Sequence, residues 1–160
     1  MLYATRYMNA CIILDNIRSV HNVGSLFRTC EGAGVSKMYL CGVTPTPLDR
    51  FGRTRTDIVK VALGAETLVP WEHNPETLIC IQKLKEEGYK IIAVEQDERS
   101  KNYKEVKSDS KTAFVFGEET KGLSKEILSA CDEVVEIPML GEKESLNVSV
   151  AAGIVLFNSQ

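Results

Sequence analysis

Three times along this chain a short apolar run enters a loop of Gly, Asn, Ser and charged residues, and each loop opens a helical pattern. Ile12-Ile13-Leu14-Asp15 leads into Asn16 to Gly24; Phe114-Val115-Phe116 leads into Gly117 to Gly122; Ile137 leads into Pro138 to Ser149. Buried strands that end in polar, glycine-bearing loops are where open α/β sheets bind their ligands. The three loops therefore point to one composite site, built from both ends of the chain.

Strands alternate with helices throughout. Cys11 to Asp15 reads as a buried strand, Asn22 as the N-cap of a helix carrying Leu26, Phe27 and Cys30, and Gly32 and Gly34 as its end. Lys37 to Cys41 is a second strand, and Gly42 to Gly52, with its prolines and glycines, a loop. A helix is expected over Asp57 to Leu63 and an extended piece over Thr67 to Val69. Asn74 is expected to cap a helix with Pro75 in its first turn, Leu78, Ile81 and Leu84 on its buried face, and Gly88 at its end. Lys90 to Val94, Thr112 to Phe116 and Val134 to Ile137 read as further strands, and Ser124 caps a short helix to Ala130. The last helix, Leu146 to Phe157, is apolar nearly all round, with Leu146, Val150, Ile154 and Phe157 on one side. It is expected to be buried, in part against a second subunit. This order implies an α/β domain with a mostly parallel sheet and helices on both faces.

At 160 residues the chain fits one domain, read as 1–160 with no substantial extension at either end. No apolar run approaches the ~20 residues that span a bilayer, and Met1 to Ala10 lacks a signal-peptide core. The five cysteines are scattered, without a C-x-x-C pair, which favours a reduced, cytoplasmic protein without a structural metal. A net charge of −3 speaks against a general nucleic-acid coat but leaves room for a local patch. The candidate patch is Asp49 to Lys60, where Arg50, Arg53, Arg55 and Lys60 surround Phe51; a solvated loop leading into a helix is the alternative.

Several chemistries lack their signatures. The loop after Phe116 is no Walker A, because Lys121 precedes Gly122 and no Ser or Thr follows directly. G-x-G-x-x-G is absent, and Gly32-Ala33-Gly34 sits at a helix end. His21 and His73 have no partners at metal-ligand spacing, and Ser25 lies in no nucleophile elbow. Glu118 and Glu119 beside a glycine turn instead suit a ligand with hydroxyls or a cationic centre.

The three loops together resemble the signature motifs of the SpoU (TrmH-type) branch of the SPOUT RNA methyltransferases. The matching residues are Asn16-x-Arg18-x-x-x-Asn22-x-Gly24-x-x-x-Arg28, then Phe116-Gly117-x-Glu119-x-x-Gly122-Leu123, then Ile137-Pro138-Met139 with Ser145-Leu146-Asn147-Val148-Ser149-Val150-Ala151. The resemblance spans about residues 11 to 158 and implies a C-terminal trefoil knot, a homodimer and an RNA substrate; without the extensions by which some relatives bind RNA, tRNA is expected before rRNA. It implies S-adenosylmethionine as cofactor, held by Val94, Glu95, Gly117, Ile137, Ser145 and Leu146. It makes Arg28 the catalytic arginine, supported by Asn22, Glu119, Ser145 and Asn147, and it implies methyl transfer to a ribose 2′-hydroxyl. A guanidinium is rarely deprotonated, so Arg28 is read as binding phosphate and stabilising the developing alkoxide. Arg18, Arg28, Arg50, Arg53 and Arg55 are the expected RNA contacts. The alternatives are a non-catalytic RNA-binding or assembly module of the same fold and a methyltransferase acting on a base or a non-RNA substrate.

Overall fold

The computed structural model describes residues 9–107 and 111–160; the expectation about a signal peptide falls largely on residues outside these. Seven strands, β1 (Ala10–Asp15), β2 (Lys37–Cys41), β3 (Trp71–Asn74), β4 (Lys90–Val94), β5 (Lys101–Asn102), β6 (Thr112–Gly117) and β7 (Glu133–Glu136), form one sheet in the order β3-β2-β1-β6-β4-β7-β5. Every pairing is parallel. Parallel strands need crossovers, and six helices supply or follow them: α1 (Val20–Ala33), α2 (Thr56–Ala62), α3 (Ala65–Leu68), α4 (Thr77–Glu86), α5 (Lys125–Ala130) and α6 (Val148–Asn158).

Strand alternation sorts the core into two layers. Ile12, Leu14, Phe114, Phe116, Ile92 and Leu40 join Phe27 of α1, Ile58 of α2 and Val155 of α6 on one face. Cys11, Ile13, Ala113, Val115, Ile91 and Ala93 join Ile81 and Leu84 of α4 and Ile127 of α5 on the other. All six residues of β1 are buried, so its near-continuous apolar sequence reflects cover on both faces. Burial of a side chain such as Phe114 contributes about 1.5–3 kcal/mol.

Local expectations fail where a side chain found a better partner. The first helix starts at Val20, capped by Ser19, whose Oγ accepts the Asn22 N–H at 3.1 Å. Asn22 therefore lies in the first turn instead of capping, and its side chain is free for tertiary contacts. Thr67 lies in helix α3, not an extended piece, because its hydroxyl donates to the Gly64 carbonyl at 2.8 Å and Glu66 accepts the Gly64 N–H at 3.0 Å. The strand follows at Trp71, beyond Pro70, on the sheet edge where a proline is tolerated. Asn74 does not cap α4; its Oδ1 accepts the Glu76 N–H at 3.2 Å in a local turn, and the helix begins at Thr77. β7 runs from Glu133 to Glu136, so Ile137 falls in the loop beyond it, and the two-residue β5 has no counterpart in the sequence pattern.

Helix α6 is only partly covered within one copy of the chain. It buries Val148, Ala152, Val155 and Leu156, whereas Leu146, Val150 and Phe157 of the expected buried stripe face outward, Val150 and Phe157 each about half exposed. No helix among the described residues is long and apolar enough to cross a membrane.

Candidate active site

In an all-parallel sheet every strand ends on the same edge, so the loops after β1, β6, β4 and β7 emerge side by side. Asp15 is in register with Gly117, and Val94 with both Phe116 and Val135. The loops after β6, β4 and β7, with the start of α6, enclose a cavity of about 400 Å³, within the size range of small-molecule sites. Val94, Phe116, Leu123, Ile137, Met139 and Leu146 give it apolar walls, and Glu118, Glu119, Glu136, Glu144 and Lys121 also line it. The carboxylates outnumber the lone lysine, a balance that favours a cationic centre over a triphosphate. All six residues expected to hold a cofactor line this cavity: Val94, Glu95, Gly117, Ile137, Ser145 and Leu146.

The loop after β6 is held in shape by its own backbone and by Glu95. The Gly122 N–H donates to the Glu118 carbonyl at 2.8 Å, and Gly122 has φ +63°, a left-handed conformation that favours glycine. One Glu95 carboxylate oxygen accepts the Leu123 N–H at 3.0 Å, and the other accepts the Gln96 N–H at 2.9 Å. Glu95 thus lines the cavity with both oxygens already engaged by backbone. At Gly117 a Cβ would lie 2.8 Å from the Gly122 carbonyl carbon and from Leu123 Cδ2, so only glycine lets the loop close. Gln96, absent from the expected set, donates from Nε2 to the Glu144 carbonyl at 2.6 Å and joins the β4 loop to segment 137–147. Its only sequence signal was its place after Val94-Glu95 at a strand end.

Three polar residues from the three loops meet beside the cavity. Asn22 Nδ2 donates to Glu119 Oε1, and Asn147 Nδ2 donates to Asn22 Oδ1 at 3.1 Å. Asn147 is also the N-cap of α6, its Oδ1 accepting the Ser149 N–H at 2.9 Å and the Ser149 hydroxyl at 2.6 Å. These bonds join positions 97 and 125 residues apart. The bond to the carboxylate is of the stronger, charge-assisted kind. Ser145 is exposed, lines the cavity, and makes no hydrogen bond among the described residues.

The arginines stand apart from this cluster. Arg28 is exposed on α1, six residues (about 9 Å along the axis) beyond Asn22, and does not line the cavity. Among the described residues it makes no ion pair and no side-chain hydrogen bond to Asn22, Glu119 or Asn147. Arg18 lies 3.7 Å from Glu118 at the cavity mouth, with its side chain 66% exposed. Arg53 pairs with Asp49 at 2.8 Å and Arg55 with Asp57 at 2.7 Å. Of these three loop arginines only Arg50 lacks an ion pair among the described residues, and Asp49 and Asp57, the two anions of the segment, are the partners of the other two.

The sequence profile of the SpoU rRNA Methylase family matches residues 9–157. The chain is 33% identical over 156 residues to a tRNA (guanosine(18)-2′-O)-methyltransferase of Thermus thermophilus, covering 97% of this chain and 76% of that one. Among solved structures, a TrmH/SpoU tRNA modifying enzyme of A. aeolicus superposes with a TM-score of 0.83 at 29% identity, over 96% of this chain and 75% of that one. An AdoMet-bound rRNA methyltransferase from Sinorhizobium meliloti superposes with a TM-score of 0.84 at 26% identity, over 93% of this chain and 54% of that one.

Proposed function

Because the chain belongs to the SpoU rRNA methylase family, we propose that it is an S-adenosylmethionine-dependent RNA methyltransferase acting on a ribose 2′-hydroxyl, with tRNA favoured over rRNA. The observation that carries this reading is the Asn147–Asn22–Glu119 line of hydrogen bonds, which joins the three motifs at the cavity mouth.

The cavity suits the cofactor. Its apolar walls fit an adenine, the backbone of the Gly117 and Ile137–Leu146 loops offers amides and carbonyls, and the surrounding carboxylates suit a positive sulfur. Val94, Gly117, Ile137, Ser145 and Leu146 would hold it, with Glu95 shaping the loop. When bound, S-adenosylmethionine supplies an electrophilic methyl group on a sulfonium. Arg28 binds the phosphate of the target nucleotide and stabilises charge developing on the 2′-oxygen. Asn22, Glu119 and Asn147 fix the relative positions of the three loops, and Ser145 offers an uncommitted hydroxyl to the substrate. Arg18, Arg50, Arg53 and Arg55 contact RNA outside the cavity.

The reading includes a C-terminal knot and a homodimer in the cytoplasm. Strand order supports the knot: β7 lies between β4 and β5, both earlier in the chain, so the last segment enters among strands already laid down. The outward stripe of Val150 and Phe157 supports the dimer, and five buried free thiols support a reducing compartment. The preference for tRNA rests on the likeness to tRNA enzymes, of which the chain spans about three quarters.

The deciding experiment is nucleoside mass spectrometry of tRNA and rRNA treated with the protein and S-adenosylmethionine. A new 2′-O-methylnucleoside is expected with wild type, and at least ~100-fold less with Arg28→Ala, a loss in the range seen when one stabiliser of a developing oxyanion is removed. Cofactor binding by that variant should stay within about twofold, because Arg28 lies outside the cavity lining. Undiminished turnover in Arg28→Ala would remove the assignment of that residue.

A further inference from the structure

Residues 47–55 form a small hairpin beyond β2. The Arg55 N–H donates to the Pro47 carbonyl and the Asp49 N–H to the Arg53 carbonyl, both at 2.8 Å, and Leu48 bridges Thr54. Gly52 has φ +74° and donates its N–H to the Asp49 carbonyl at 2.9 Å, the left-handed residue of a three-residue hairpin loop. The Asp49 carboxylate then clamps the tip, accepting the N–H groups of Phe51 at 2.8 Å and Arg53 at 2.9 Å and the Arg53 Nε at 2.8 Å.

This tip holds out an aromatic ring. Phe51 is 66% exposed, with the Arg50 guanidinium 4.7 Å and the Arg53 guanidinium 5.0 Å from its ring centroid. A lone exposed apolar side chain is ordinary; one on a clamped turn between two guanidinium groups is a platform. An exposed ring with guanidinium groups over it matches an unpaired nucleobase, which stacks on aromatic rings or guanidinium planes, and its phosphates, whereas paired bases in a duplex offer no free face.

Position agrees with this chemistry. β2 adjoins β1, so the hairpin rises from the same sheet edge as the cavity. Its base is tied to the first motif, where Asn16 Oδ1 accepts the Val43 N–H and Thr44 Oγ1 accepts the Ile17 N–H, each at 3.0 Å. We propose that Phe51, between Arg50 and Arg53, stacks an unpaired base of the RNA substrate and so selects RNAs that present a loop or single strand beside the methylated nucleotide. This rests on the RNA-methyltransferase reading above.

The test is equilibrium binding of unfractionated tRNA and unfractionated rRNA at several salt concentrations, with wild type, Phe51→Ala, Phe51→Leu, Phe51→Trp and Arg50→Ala. S-adenosylmethionine binding by each variant reports the fold and cavity. Phe51→Ala and Phe51→Leu should weaken binding of the preferred RNA about 5- to 150-fold, the range for losing one base–aromatic stack. Phe51→Trp should restore it, and Arg50→Ala should lower the salt slope by about one phosphate contact. Unchanged affinity in Phe51→Ala overturns the proposal, as does equal binding by Phe51→Leu and Phe51→Trp. So does a Phe51→Ala variant that loses RNA binding only because a dimer has become monomeric, since the tip is then a protein contact. If wild type binds neither RNA, the RNA-methyltransferase reading itself fails, which separates the two failures.

Discussion

Asn22 is the residue on which the three loops converge, since its amide both donates to Glu119 and accepts from Asn147. Asn22→Ala leaves both partners without this contact and should cost about 1–3 kcal/mol, read as a lower urea midpoint, together with a marked fall in methyl transfer. A second buried polar residue, Asp15, ends β1 beside Gly117 and accepts hydrogen bonds from the Thr77 hydroxyl and Asn16 Nδ2. Burial pushes its carboxyl above the ordinary 3.8, the Thr77 hydrogen bond opposes this, and Glu118 adds to the rise. The folded state therefore holds this proton more tightly than the unfolded chain, and wild-type stability falls as pH climbs from about 3.8 through the raised value. Asp15→Asn cannot titrate. Its stability relative to wild type should rise through that window and then level off, as denaturant melts at a series of pH values would show; a flat difference would contradict the raised carboxyl.

At the scale of elements, α6 shows how much a uniform apolar sequence leaves open. Every side of Val148–Asn158 could face a core, and packing against α1 decided which one does. Gly153 and Gly32 mark that contact: a Cβ on Gly153 would sit 3.6 Å from Thr29 Cγ2, and one on Gly32 3.6 Å from the Phe157 ring. The outward Val150 and Phe157 then form the surface assigned to a second copy. Val150→Glu should leave the monomer fold intact, because Val150 is half exposed, yet convert a dimer to monomers in light scattering. An unchanged mass would remove Val150 from the interface. Ser124 caps α5 as its sequence suggests, but Asn74 does not cap α4, and Ser19 caps α1 in place of Asn22, whose side chain bonds Glu119 across the fold.

Across the whole molecule the site depends on segments far apart closing on one edge, and Gly117 is one point where backbone closes on backbone. Gly117→Ala would push a methyl group against the Gly122 backbone and Leu123, both at 2.8 Å. Cofactor affinity by calorimetry should drop at least ~10-fold, alongside a loss of about 1–3 kcal/mol of stability from overpacking. Normal affinity in a stable variant would mean that the loop can relax around the methyl.

The sequence by itself determined the parallel α/β class, the positions of most strands and the three loops that carry the site, because strand burial on both faces and glycine-bearing strand ends leave a local mark. Tertiary structure decided the rest. The edge strand at Trp71–Asn74 and the two-residue β5 owe their conformation to their neighbours in the sheet. The engagement of Glu95 by backbone N–H groups, the bridging role of Gln96 and the meeting of Asn22 with Asn147 follow from distances across the fold, which no spacing along the chain encodes. The arginine patch makes the same point: its composition was visible, but only folding paired Arg53 and Arg55 with aspartates and left Arg50 beside an exposed ring.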